Sequence, residues 1–259
     1  MCRMAAYLGP EIALEQFLLA PPHSLLMQAR APRELRYVSV NADGFGIGWF
    51  DPDGRPGRYV NPAPIWNDPN VAPLGRSLYA DLWLGFVRAA TLGGIVSHAN
   101  TQPFHDAEIL FLHNGFLHEF PDRFRPAISA ELSPDIAGAI QGSTDSEFLF
   151  AQLRQLLADD PDLALETALA ELCARVDDWS EGVPALLNLL VSEGSRLYAV
   201  RHACNDVCPS LYYTTDNERF PAGQLIASEP LDDTGIWQPV PEHHILILDP
   251  DEPPELVEL

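Results

Sequence analysis

Between residues 142 and 178 the apolar residues recur at helical spacing, and on both sides of that block they fall into short strand-like runs. GSTDSEFLFAQLRQLLADD (142–160) opens on Thr144 and Glu147, a T-x-x-E capping box. Phe148, Leu149, Leu153, Leu156 and Leu157 then recur at helical spacing. A second helix is expected over roughly 163–178, and another over 11–19, closed by Pro21-Pro22. Upstream of the block, 2–8, 81–90 and 107–113 read as strands. Downstream, 185–202 reads as a hairpin turning at Glu193-Gly194, with further strands at 210–216, 223–231 and 243–249. Strands, then two adjacent helices, then strands again suit a layered α+β domain with two sheets and helices outside. No internal repeat or long linker divides the chain, so one domain is expected over 2–259, ending in a solvated acidic tail from about residue 250.

Gly44, Gly46 and Gly48 fall at every second position of NADGFGIGWF. With a strand period of 2 they line one face, where another backbone or a ligand comes close. The G-x-G-x-G spacing does not mark a nucleotide loop, because no helix follows and Asp51-Pro52-Asp53-Gly54 is a hairpin turn.

The formal net charge is −22, and all 15 basic residues are arginine. Without lysine there is no Schiff-base or phosphate-loop chemistry. The acidic balance argues against nucleic acid and anionic membranes as partners. No apolar run reaches the roughly 20 residues of a membrane span, and the start lacks the regions of a secretory signal, so a cytoplasmic location is expected. Of the four cysteines, Cys204 and Cys208 form a C-x3-C spacing in a polar segment. Neither a second cysteine pair nor histidines at zinc spacing accompanies it. No metal or organic cofactor is expected; incidental thiols are the first reading and a local metal or redox pair the second.

The chain begins Met1-Cys2-Arg3. Removal of Met1 would place a thiol and a free α-amine on one residue. The amine has a reference pKa of about 7.7–8 and the thiol about 8.5, so the amine can take the thiol proton and release the reactive thiolate. A cysteine attacking a carbonyl needs oxyanion donors and a clamp for substrate charge. Leu112-His113-Asn114-Gly115 ends an apolar strand. Asn114 offers a side-chain amide and Gly115 an unobstructed N–H. Arg88, within the apolar LWLGFVRAAT, is either a core arginine paired to a carboxylate or a clamp for a ligand carboxylate. Asp145, in a helix first turn, either favours the helix dipole or holds an ammonium group. Together Arg88 and Asp145 would grip an α-amino-acid head group and leave a γ-carbonyl at the nucleophile.

Met1-Cys2-Arg3, NADGFGIGWF, VRAAT, Asn100-x-x-Pro103, HNG, GSTDSE and ASEP, in this order, resemble the class II glutamine amidotransferases of the N-terminal nucleophile hydrolase superfamily. The resemblance implies a four-layer αββα sandwich with the nucleophile at the start of a central strand. It implies Cys2 as nucleophile and its amine as base, Asn114 and Gly115 as oxyanion hole, Arg88 and Thr91 on the substrate carboxylate, and Asp145 on its ammonium. Arg3-Met4 replaces the Gly-Ile of the fused members, and Leu92 stands where they have histidine. No synthase domain is present, so either a stand-alone hydrolase or a subunit with a separate partner is implied. PPHSLLMQ, PIWND and HNGF resemble the ergothioneine-pathway branch of γ-glutamyl amidohydrolases, whose small-molecule substrate carries a trimethylammonium group. Aromatic faces hold such groups; Phe45, Trp49 and Trp66, with His113, are the candidate lining.

Overall fold

The computed structural model describes residues 2–34, 40–90, 94–234 and 236–259. The elements, in chain order, are β1 (Arg3–Ala13), α1 (Leu14–Leu18), α2 (Leu25–Arg30), β2 (Phe45–Phe50), β3 (Pro56–Asn61), α3 (Val71–Ser77), β4 (Tyr79–Val87), β5 (Phe104–His105), β6 (Leu110–Leu117), α4 (Phe124–Glu131), α5 (Pro134–Ala139), α6 (Asp145–Asp159), α7 (Leu165–Ser180), β7 (Ala185–Ser192), β8 (Leu197–Cys204), β9 (Tyr212–Thr214), β10 (Gln224–Ala227), β11 (Gln238–Pro239), β12 (His244–Asp249) and β13 (Glu252–Glu258). They build two antiparallel sheets, ordered β11-β9-β10-β1-β4-β2-β3 and β13-β12-β8-β7-β6-β5.

Strand alternation assigns the layers. In β1, Met4, Ala6 and Leu8 face Leu110, Leu112, Leu190 and Leu246 of the second sheet and form the core between the sheets. The intervening Ala5 and Tyr7 pack outward with Leu14, Phe17 and Leu25 of α1 and α2. On the second sheet, Phe111, Leu187, Leu189 and Val200 pack outward against Leu149, Leu153, Leu169 and Val176 of α6 and α7. The result is the expected α–β–β–α sandwich.

The predicted strand face that needs glycine is present. A Cβ on Gly46 would lie 1.8 Å from the Gln102 carbonyl oxygen, so only glycine lets the 99–103 loop press against β2. The Gln102 side chain reads the backbone of His113, accepting from its N–H at 2.5 Å and donating to its carbonyl at 3.0 Å. β2 and β3 turn at Asp51–Gly54, as expected.

Four local expectations are corrected. β1 runs on to Ala13, pairing Ile12 with Ala80 and Ala13 with Tyr79 beyond an irregularity, so the first helix starts only at Leu14. Pairing with β4 outweighs helical spacing there. The capping box is half made: Thr144 Oγ1 accepts from Glu147 N–H, but the Glu147 carboxylate accepts from the N–H groups of Gln141 and Gly142 instead. The acidic tail is not merely solvated. It forms edge strand β13 on β12, with Val257 and Leu259 packed on the outer core. Pro253 and Pro254 fall at the register shift of that edge, where no ladder N–H is required. Finally, β6 does not end at Asn114-Gly115; pairing with β7 carries it through to Leu117.

Candidate active site

Cys2 lies at the foot of β1, on the parity that faces the space between the sheets. Arg3 pairs with Val87, which brings Cys2 against the end of β4. There the Ala89 N–H donates to Cys2 Sγ at 3.4 Å, and the thiol donates to the Ala89 carbonyl at 3.5 Å. Burial pushes the thiol pKa up; the Ala89 N–H and the charges of Arg88 and Arg3 oppose the rise. A base beside the thiol is therefore needed for thiolate at neutral pH.

Arg88, one residue before Ala89, is 6% exposed. Its backbone is fixed by the loop before β2: its N–H donates to the Gly44 carbonyl, and its carbonyl accepts from the Asp43 N–H. Its guanidinium donates to two carbonyl oxygens, Asp43 at 3.4 Å and Ile95 at 3.2 Å. Among the described residues no carboxylate pairs with it. Of the two readings open for Arg88, a core pair with a carboxylate is absent. A buried guanidinium with only neutral acceptors and further N–H groups to offer is poised for an anionic ligand.

Asn114 projects from β6 into the same inter-sheet layer. Its Nδ2 donates to Ser228 Oγ at 3.3 Å, and that oxygen also accepts from Met4 N–H at 3.0 Å and donates to the Met4 carbonyl at 3.2 Å. Ser228 thus fixes the amide relative to the backbone two residues beyond Cys2. Nδ2 carries a second hydrogen. At Gly115 any Cβ would meet the Leu186 carbonyl oxygen at 1.8 Å. Asp145 opens α6 and accepts from Leu117 N–H at 2.9 Å, two residues past Gly115, and from Ser146 N–H at 2.8 Å. It retains lone pairs for another donor. Asn100 ties the loops together: Nδ2 donates to the Ile95 carbonyl that also holds Arg88, and Oδ1 accepts from Ser143 N–H just ahead of α6.

Cys2, Arg88, Asn114, Gly115 and Asp145 are therefore joined by a short chain of contacts. Thr91 lies outside the described residues. His113 faces away from the inter-sheet layer. Its Nε2 contacts the Leu186 carbonyl at 2.9 Å and its Nδ1 contacts Ser146 Oγ at 2.9 Å. Only Nε2–H can satisfy the carbonyl, and burial lowers the ring's pKa, so His113 is neutral and accepts from the Ser146 hydroxyl at Nδ1. Both nitrogens are occupied; His113 is a strut between β6, β7 and α6, not a ligand contact. The aromatic lining is corrected by strand parity. Phe45 and Trp49 occupy the β2 positions opposite to Gly46 and Gly48 and join the outer core; Trp49 packs on Trp83 with centroids 6.1 Å apart. Trp66 joins the same outer cluster, with the Arg30 guanidinium 5.1 Å above its ring. Ser228 and Asn100 are further members of this chain of contacts that the sequence does not single out. Each lies in a segment that carried the family resemblance, but a lone serine or asparagine has no spacing that announces a positioning role.

Residues 24–220 match the model of the family described as glutamine amidotransferases class-II. A γ-glutamyl-hercynylcysteine sulfoxide hydrolase of Mycolicibacterium smegmatis is 32% identical over 95% of both chains. A Saccharomyces cerevisiae protein named probable glutamine amidotransferase DUG3 is 29% identical over 96% of this chain and 82% of that one. Among solved structures, a class-II glutamine aminotransferase domain protein from Silicibacter pomeroyi superposes with a TM-score of 0.72 at 27% identity over 99% of both chains. The glutamine phosphoribosylpyrophosphate amidotransferase of B. subtilis shares the fold over 99% of this chain and 49% of its own, with a TM-score of 0.66 at 16% identity. The chain belongs to the class-II glutamine amidotransferases and is an amidohydrolase built on their fold.

Proposed function

We propose that this enzyme uses Cys2 to hydrolyse a γ-glutamyl amide and release glutamate. The observation that carries the reading is the buried Arg88 guanidinium, held among the described residues by carbonyls alone, one residue from the backbone that cradles the thiol. Removal of Met1 frees the Cys2 amine as base. Arg88, with Thr91, takes the α-carboxylate of the glutamyl group, and Asp145 takes its ammonium. Cys2 Sγ then bonds to the γ-carbonyl carbon, and the thiol proton passes to the amine. Asn114 Nδ2 and the Gly115 N–H receive the oxyanion; loss of one such donor costs about 2.7–4 kcal/mol in comparable sites. On collapse the C–N bond breaks and the amine delivers the proton to the leaving nitrogen. Water then cleaves the γ-glutamyl thioester, freeing glutamate and the thiol.

The substrate we assign is γ-glutamyl-hercynylcysteine sulfoxide, which is supported by the relatives bearing that name at about 30% identity over most of the chain. The corrected positions of Trp49 and Trp66 lend that choice nothing, so it rests on the relatives. A glutaminase subunit of a two-component amidotransferase is the second reading, supported by the yeast relative named a probable glutamine amidotransferase; a γ-glutamyl peptidase subunit is the other alternative. The test is glutamate release from the sulfoxide and from glutamine, side by side, on protein shown by mass to lack Met1. Release from the sulfoxide far above glutamine is expected, and Cys2→Ala abolishes it with the fold intact. Near-wild-type turnover in Cys2→Ala would sink the mechanism. Turnover of glutamine alone would replace the substrate and call for a partner.

A further inference from the structure

His202 and Cys204 are alternate residues of β8, so both point to the helix-covered face of the second sheet. Asp177 reaches them from the last turn of α7, which packs on β8. Their three ligand-type atoms converge. Cys204 Sγ is 2.5 Å and His202 Nε2 is 2.9 Å from the same Asp177 oxygen, and Sγ and Nε2 are 3.9 Å apart. Beside them Cys208, Glu242 and His243 bring a second sulfur, oxygen and nitrogen together. His243 Nδ1 meets His202 Nδ1 at 3.0 Å. Cys173 lies one helical turn before Asp177, so every cysteine other than Cys2 comes to this end of the molecule.

We infer that Asp177, His202 and Cys204 bind a divalent transition-metal ion of the zinc class, with His243 orienting His202 from behind. A thiolate, an imidazole and a carboxylate are the ligand types that zinc takes, at about 2.0–2.3 Å. A tetrahedron of that size has ligand-to-ligand edges of roughly 3.3–3.6 Å. The strand-borne Cys204 and His202 are already close to such an edge. The carboxylate must withdraw by roughly 1 Å to complete one, and the Asp177 side chain, about half exposed, is free to do so. Metal on Nε2 leaves the proton of His202 on Nδ1, aimed at His243 Nδ1; this outer hydrogen bond is the one that metal-bound histidines use to fix their tautomer. Three protein ligands leave a fourth position open.

The consequence is mechanical. His202 pairs with Leu187, and Leu187 pairs with Gly115. An ion at His202 therefore clamps the end of α7 to the sheet at the level of the proposed oxyanion donors, two strands away. The sequence conceals this site, because Asp177 is 25 residues from His202 and joins it only through the fold.

The test is cobalt and zinc titration of the chelator-treated full chain in a Cys2→Ala background, which removes the thiolate of the proposed active site. About one cobalt per chain should produce a thiolate-to-cobalt charge-transfer band, and zinc should raise the melting temperature by about 5 °C or more. The band should vanish in Cys204→Ser and persist in Cys208→Ser. A folded protein with no band at stoichiometric cobalt overturns the inference, and so does a band unchanged by Cys204→Ser or lost in Cys208→Ser. Should Cys204→Ser fail to fold, the half-exposed Asp177→Asn decides: affinity falls at least about tenfold if Asp177 is a ligand, and unchanged affinity refutes the site. None of these readouts depends on which γ-glutamyl compound is hydrolysed.

Discussion

Two arginines lie close to Cys2, and the protein answers their charges in opposite ways. Arg3 is fully buried on the outer side of the first sheet, where Glu229 stands 3.4 Å away as its ion-pair partner. Glu229 is itself saturated: His23 Nε2 contacts it at 2.7 Å, and the N–H groups of Arg33 and Glu34 donate to it at 2.9 and 3.0 Å. Arg88, on the side where the thiol is held, has two carbonyl oxygens and no carboxylate among the described residues. Taking a charge out of water costs several kcal/mol per ion. At Arg3 the Glu229 charge offsets part of that cost, but among the described residues no guanidinium nitrogen finds a hydrogen-bond acceptor, and burial still lowers the arginine's pKa. At Arg88 two carbonyl oxygens offset part of it, and in the proposed function a substrate carboxylate supplies the counter-charge.

The comparison breaks first at Arg3. Arg3→Met leaves Glu229 buried without its arginine and should destabilise the chain by about 3–5 kcal/mol, read by urea denaturation. Arg3→Met with Glu229→Gln should recover part of the loss, because the carboxylate charge that Arg3 faced is removed as well. A single-variant loss below about 1 kcal/mol would mean that the Arg3 charge is not answered by Glu229.

Arg88→Ala should do the reverse. Removing a charged, two-pronged contact raises KM for a γ-glutamyl substrate by about 100-fold, or about 2.7 kcal/mol, while the melting temperature moves by no more than about 2 °C. Unchanged KM, or a stability loss as large as that of Arg3→Met, would make Arg88 another structural arginine.

Much of this contrast was legible in the residue string, but not all of it. Arg88 in an apolar run advertises a buried charge, and the alternating glycines at 44–48 advertise a close approach, because both are local patterns. The two-helix block between strands gave away the layering for the same reason. Arg3, Glu229 and Ser228 were silent as chemistry: the Arg3–Glu229 and Met4–Ser228 contacts join the two ends of the chain and come from β10 lying beside β1. Trp49 misled because aromatic character says nothing about which face of a strand a residue takes; the parity set by Phe45 and Ile47 in the outer core decides it. The β13 edge was hidden by Pro253 and Pro254, which argue against a central strand and not against an edge.

Ser228 offers a finer test, since it positions Asn114 without touching substrate in the proposed mechanism. Ser228→Ala removes the hydroxyl that fixes the amide to Met4. We expect kcat to fall by about tenfold, or about 1.4 kcal/mol, with KM within a factor of two to three. A shift in KM at constant kcat would place Ser228 in binding rather than in orienting the oxyanion donor.

Acid should separate the two sheets by the smallest margin and in a set order. His113 in the second sheet is neutral because burial lowers its pKa, and the nearby Asp145 carboxylate and the Leu186 carbonyl do not restore it. Its unfolded value is about 6.5. The unfolded chain then binds the extra proton, so the stability tied to neutral His113 is complete above about pH 6.5 and is lost as pH falls toward the folded value. At Glu229 burial raises the pKa, but His23, the N–H groups of Arg33 and Glu34, and Arg3 more than reverse it, leaving the carboxyl below its ordinary value. Its contribution is complete above about pH 4.3 and is lost only below that. Each group gives a slope of up to about 1.4 kcal/mol per pH unit in its own window. Denaturation followed from pH 8 to pH 3 should therefore weaken in two stages. His113→Gln should flatten the first stage and spare the second, and Glu229→Gln should do the opposite. If either variant leaves its own stage as steep as in the parent, that group does not carry the acid response, and the division of labour between the two sheets fails at that point.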